Sequence, residues 1–160
     1  MLRVPEMSMR GSCSCNNILF SWKNIDFSIV PRRCGCTYCA DKKAAYVSKS
    51  GTLVEVGVRQ SQFHSVKHHG SGLAEFHECT NCGDLVFVSV LIKAETYCAL
   101  NVNCLEKRDR FPEAVDVNFS DQPPEVKLER WKLNWCHPVL VTHQGTKGAS
   151  SRDALPARPA

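Results

Sequence analysis

Seven of the ten cysteines fall into three tight groups: Cys13-Ser14-Cys15, Cys34-Gly35-Cys36-Thr37-Tyr38-Cys39 and Cys79-Thr80-Asn81-Cys82. Thiolates are strong ligands for Zn²⁺, and two of them three residues apart can grip one ion inside a tight turn. Gly83 follows the last pair, where a glycine admits the positive φ that such a turn needs. Disulfides are the rival use of these residues. Bridges inside groups this close would be strained. The stretch from Met1 to Cys15 also lacks the apolar segment and cleavage site of a secretory signal. Both points favour a cytoplasmic protein whose clustered thiols bind metal.

The groups differ in what they offer. The C-x-x-C pair at Cys79 and Cys82 needs a second pair to complete a tetrahedron, and Cys13 with Cys15 supplies one. Cys34, Cys36 and Cys39 contribute three thiolates, and three protein ligands on zinc leave a position for water or substrate. Spacing alone does not partition the seven, because Cys98, Cys104 or a histidine could close the triple and make both sites purely structural.

The ordered set of motifs is more specific than any one of them. Gly11-Ser12-Cys13-x-Cys15, Cys34-x-Cys36-x-x-Cys39, Cys79-x-x-Cys82-Gly83 and Asn101-Val102-Asn103-Cys104-Leu105 resemble the glutathione-dependent formaldehyde-activating enzyme and centromere protein V family. The likeness covers roughly Gly11 to Leu105, and weakly Arg130 to Pro138, where Asn134-Trp135 precedes a proline. It implies a mainly β, β-tent fold of zinc-stabilised antiparallel sheets. It implies a structural zinc on Cys13, Cys15, Cys79 and Cys82 and a second, catalytic zinc on Cys34, Cys36 and Cys39, two Zn²⁺ per chain. Three positions depart from the family's habit: Asn16 stands where a glycine is common, Thr80-Asn81 where a proline is usual, and Ala40-Asp41 where a basic residue often follows the triple. None removes a ligand.

The activity that the resemblance implies is that of a carbon–sulfur lyase, forming or cleaving an adduct of a thiol such as glutathione and an aldehyde such as formaldehyde. Zinc held by three thiolates carries a formal charge of −1 and is a poor Lewis acid, yet it stays thiophilic. A thiol entering the fourth position would be held as thiolate, and its addition to an aldehyde gives a hemithioacetal. The rival class is a non-catalytic zinc-binding interaction module, as the centromere protein V side of the likeness permits. A short, nearly uncharged lead before Gly11 weighs against it. A thiol-rich metal buffer is disfavoured by the structural spacing of two of the groups.

Elements must position these cysteines. At 160 residues, with 43% hydrophobic and 22% charged content, the chain suits one domain, expected over 1–143. Ile18 to Phe20 with Trp22, Phe27 to Val30, and Leu53 to Val58 read as strands. Gln62 to Lys67 and Leu73 to His77 read as partners across Gly70-Ser71-Gly72, and Leu85 to Ile92 as a central strand that Tyr97 to Val102 extends. Ala40 to Tyr46 is expected to form a turn or two of helix. Leu128, Trp131 and Trp135 mark one face of a short C-terminal helix beginning near Pro123-Pro124. Residues 144–160 are rich in Gly, Ser, Ala and Pro and are expected to be disordered.

No run approaches the ~20 apolar residues of a membrane span, so no membrane partner is expected. The formal charge of +4 would fall to about +1 with seven thiolates on two Zn²⁺, which argues against a nucleic-acid partner. His64, His68, His69 and His77 could supply a proton shuttle or a fourth ligand, though a polar strand face explains each of them more simply. Cys98, Cys104 and Cys136 read as reduced thiols packed as small apolar groups. Trp131 and Trp135 read as core of the helix.

Overall fold

The computed structural model describes residues 8–69, 72–118 and 122–144. In chain order the elements are β1 (Ser8–Ser12), β2 (Ile18–Lys23), β3 (Arg32–Cys34), α1 (Thr37–Asp41), β4 (Tyr46–Val47), β5 (Val54–Val58), β6 (His64–Lys67), β7 (Glu75–Cys79), β8 (Leu85–Ile92), β9 (Glu95–Asn101), β10 (Val115–Val117), α2 (Pro124–Asn134) and β11 (Val139–His143). They form two sheets. One has the order β1-β2-β5-β11 and the other β10-β3-β4-β9-β8-β7-β6.

The alternation seen in sequence sets the inner face of the smaller sheet. Ile18, Phe20 and Trp22 of β2 are buried and lie opposite Val58, Val56 and Val54 of β5. Burying each such side chain contributes about 1.5–3 kcal/mol. The buried Trp22 indole donates to Thr52 Oγ1 at 2.9 Å, which removes the cost of a dry N–H. From the larger sheet, Val86, Phe87, Cys98 and Leu100 join the same core, so the core lies between the sheets. Gly11 has no space for a side chain. A Cβ there would sit 2.3 Å from Phe20 Cζ and 2.6 Å from the Cys104 carbonyl oxygen.

The opposite face of the larger sheet carries a smaller cluster, Ala74, Val88 and Ala99, covered by Trp131 and Trp135 of the α2 region. The two indoles stack at 4.9 Å, so they act as a lid as well as core. The end of α2 is fixed to the larger sheet by paired backbone bonds, Cys98 N to Cys136 O at 3.0 Å and Cys136 N to Cys98 O at 2.8 Å.

Several sequence expectations shift. Phe27 to Val30 is a turn, because Asp26 Oδ1 accepts from both Ser28 N and Ser28 Oγ, and the strand begins beyond Pro31. The expected helix over Ala40 to Tyr46 lies earlier, as α1. Cys36 caps it, Lys43 at φ 54° ends it, and Tyr46 pairs with Asn101 as a strand. The sheets are not wholly antiparallel, since β10 runs parallel to β3 and β11 parallel to β5. The helix is followed by a strand that adds the last edge to the smaller sheet. Most of the residues expected to be disordered, 145–160, lie outside the described residues, as do Gly70 and Ser71.

Candidate metal centre

Cys13 and Cys15 leave the end of β1, and Cys79 and Cys82 close the end of β7. Their four Sγ atoms lie within 4.8 Å of one another. The separations are 3.7 Å between Cys13 and Cys15 and 3.5 Å between Cys15 and Cys79. Four sulfurs at ~2.3 Å from zinc would stand ~3.8 Å apart at the corners of a tetrahedron, so the donor set fits that ion. Backbone amides already point at the sulfurs: Asn17 N and Ile18 N reach Cys13 Sγ at 3.2 and 3.3 Å. Burial raises the Cys13 thiol, while at Cys15 burial is outweighed by hydrogen bonds from Asn81 and the Asn17 amide, leaving it at about 7. The two loops are tied beside the sulfurs, since Ser14 N and Ser14 Oγ both donate to Asp84 Oδ2 at 2.6 Å.

The triple lies across the larger sheet. Cys34 ends β3, Cys36 caps α1 and Cys39 sits within it, with Cys39 N donating to Cys36 Sγ at 3.4 Å. Among the described residues no further cysteine, histidine or carboxylate joins these three within 4.8 Å. Cys98 lies in the core against Cys136. Cys104 faces the Leu85 carbonyl, pushed up to about 12 by burial, and neither completes the triple. The exposure is graded: Cys36 is open to solvent, Cys34 half-buried and Cys39 buried. A hydrogen bond from Cys39 brings Cys34 down to about 5 against its burial, with Lys127 adding a favourable charge. Cys39 rises in return, and the Tyr46 hydroxyl lies 3.3 Å from its sulfur, placed to donate once that sulfur is a thiolate.

A cavity of about 370 Å³ opens on the triple. Cys34, Cys36 and Cys39 form part of its wall, and Arg32, Lys127 and Arg130 line it as well. The family profile of the glutathione-dependent formaldehyde-activating enzymes matches residues 8–121, a span that contains all seven clustered cysteines. The chain belongs to the glutathione-dependent formaldehyde-activating enzyme family. Comparison with curated proteins returns no match. Among solved structures, the chain is similar to a Rhodobacter sphaeroides protein at 22% identity and a TM-score of 0.47, over 66% of this chain and 100% of that one.

Where this chain departs from the family's habit, the geometry compensates. Asn16 adopts φ 65°, the left-handed conformation that asparagine tolerates best after glycine. The basic residue displaced from the end of the triple reappears as Lys42, whose Nζ donates to Gly83 O at 2.9 Å and so reaches from one cysteine loop to the other. A second tie joins the loops. The Tyr38 hydroxyl hydrogen-bonds the buried carboxylate of Glu78, next to Cys79, and Lys67 stands 3.3 Å from that carboxylate. Asn101 holds the floor between them, donating to Leu85 O at 2.8 Å and accepting from Asn103 N at 3.2 Å.

Of the four histidines singled out in sequence, one reaches the cavity. His69 lines it, with its ring 3.7 Å from that of Tyr38 and its Nε2 buried without a hydrogen-bond partner among the described residues. His64 and His77 bond to each other at 2.9 Å, and His77 bonds to Ser89 at 2.8 Å, a chain along the strands and not at the triple. His68 lies 3.8 Å from Glu75. Sequence reading missed Arg32, Lys127 and Arg130 as cavity residues, as well as Tyr38, Tyr46 and Glu78. For Arg32 one signal existed: it precedes Cys34 by two residues on a strand and therefore shares its face.

Proposed function

We propose that the chain is a zinc-dependent carbon–sulfur lyase that forms or cleaves the adduct of a carboxylate-bearing thiol, such as glutathione, and an aldehyde. The observation that carries this reading is a three-cysteine donor set that opens on a cavity and is flanked by cations. Cys34, Cys36 and Cys39 would hold the reactive zinc. Cys13, Cys15, Cys79 and Cys82 would hold a structural one. The whole span through His143 then serves as one domain around both.

Zn²⁺ bound by the triple supplies thiol affinity and a lowered thiol pKa. The chain's own residues do the rest. Arg32, Lys127 and Arg130 attract carboxylates of the thiol substrate and fix its orientation. Tyr46 holds Cys39 in place through its hydroxyl. In the forward direction the thiol sulfur bonds to the carbonyl carbon, the carbonyl π pair moves to oxygen, and the thiol's proton ends on that oxygen. The reverse direction breaks the carbon–sulfur bond and returns both components, so no oxidant or further reactant is consumed.

The test is the exchange rate between free formaldehyde with glutathione and S-hydroxymethylglutathione, read by NMR magnetisation transfer at equilibrium. The zinc-loaded protein is expected to accelerate exchange, and Cys36→Ser to abolish the acceleration in a chain that remains folded. No acceleration by the zinc-loaded protein would sink the enzyme reading and leave a zinc-binding interaction module.

A further inference from the structure

The cavity beside the triple has two unlike sides. Arg32 shares β3 with Cys34, and Lys127 and Arg130 line the cavity with them. Cys39 faces the other way. Its sulfur touches Tyr46, and Tyr46 packs on the separate cluster of Ala74, Val88 and Ala99 with Phe76, Trp131 and Trp135. All of these residues line the same cavity. The cationic side thus meets the triple at Cys34 and the apolar side meets it at Cys39.

Formaldehyde has no apolar group for this apolar wall to meet. It has two heavy atoms and fills roughly 60 Å³, about twice a water's share of liquid volume. The whole cavity, cationic and apolar sides together, amounts to about 370 Å³. The apolar wall includes two alanines, Ala74 just before β7 and Ala99 in β9, packed under the two indoles. Larger apolar residues at these positions would fill the space, and protein interiors pack closely because unfilled apolar space costs stability. A chamber walled by aromatic rings and small aliphatic side chains, open toward a metal site, matches an apolar substituent.

We propose that the aldehyde partner carries an apolar group, aryl or medium alkyl, which lies in the chamber formed by Ala74, Phe76, Val88, Ala99, Trp131 and Trp135. The thiol's carboxylates take the cationic side at the same time. This inference rests on the thiol–aldehyde reading of the site and adds the class of aldehyde.

Two thioethers of glutathione probe the chamber without needing turnover. In S-benzylglutathione and S-methylglutathione the carbon on sulfur stands where the carbonyl-derived carbon of the adduct would stand. Calorimetric titration of each into the zinc-loaded protein should give affinity for the benzyl compound about tenfold or more above that for the methyl compound, the worth of burying one ring. Ala99→Leu, which fills the chamber from β9, should bring the two affinities to within about threefold. Ala74→Val does the same from the residue before β7 and serves as the independent variant if Ala99→Leu melts early.

Equal affinities in the wild type, or a preference that survives both substitutions, would overturn the proposal. The benzyl preference, lost in the variants, would support it whether or not formaldehyde exchange is accelerated. Accelerated exchange without the preference would leave the lyase reading standing and remove the apolar aldehyde.

Discussion

Cys36 and Cys82 each belong to a cluster of thiols, yet their surroundings give them different work. Cys82 packs against the main core and shares its cluster with the buried Cys13 and Cys79. Binding of a structural zinc is folding free energy, on the order of 10 kcal/mol or more in small domains. Serine is a harder, neutral donor and cannot replace a thiolate there. Cys82→Ser is therefore expected to lose its metal and its cooperative melting together. Cys36 is exposed and belongs to a set of three thiols at a cavity wall, so Cys36→Ser should keep its circular dichroism and melt within a few degrees of the wild type while losing one zinc. Equal unfolding of both variants would show that the triple is a second closed structural site. The comparison needs only melting curves and zinc stoichiometry.

Among the elements, the β8–β9 hairpin carries visible strain. Ile92 pairs with Glu95, which leaves Lys93 and Ala94 as a two-residue loop at φ 51° and 68°. This is the twist that hairpins favour, but Asn-Gly or Asp-Gly is the usual sequence for it. A residue with a Cβ costs about 1–2 kcal/mol in that conformation. Ala94→Gly should raise stability by about 1 kcal/mol in urea unfolding, less the greater freedom glycine has in the unfolded chain. The opposite outcome would mean that the loop is held by contacts outside the hairpin. A second element, β11, edges the smaller sheet. The Gln144 amide donates to Val58 O at 2.8 Å, one residue past β11. A chain ending at Gln144 should keep the melting temperature and zinc content of the full protein. A chain ending at Pro138 removes the parallel partner of β5 and should lose several degrees. Equal melting of the two would show that β11 contributes nothing.

For the molecule as a whole, the two cysteine clusters differ in access more than in chemistry. Both offer only thiolates, but the triple includes the exposed Cys36 and opens on the cavity, whereas Cys13 and Cys79 are almost wholly buried. A coloured zinc chelator added to the two-zinc protein should therefore draw metal in two phases. The first should come from the triple and leave the far-ultraviolet spectrum intact. The second should coincide with unfolding. A single phase with simultaneous loss of structure would show that the two sites are not separable. Among the described residues no helix is long and apolar enough to cross a membrane.

Much of this was legible along the chain because it depends on short-range pattern. The period of two at Val54, Val56 and Val58, the apolar run of β8 and the tryptophan spacing of α2 each reflect a local geometry that repeats within a few residues. The three cysteine groups are local too, since a turn brings Cys79 and Cys82 together unaided. Other features had no local signature. Asp26 converted an apolar stretch into a turn through its own side chain, and β10 and β11 joined their sheets in parallel, pairings that only distant chain return can make. The cavity belongs to this second kind. Arg32 comes from an early strand and Lys127 and Arg130 from a late helix, and Ala74 and Ala99 of the cavity wall read in sequence as ordinary strand residues. Sequence by itself determined the cysteine groups and the family. Tertiary structure decided what surrounds the triple, because charge and shape at a site are set by side chains that meet only once the sheets have folded and α2 has packed over them.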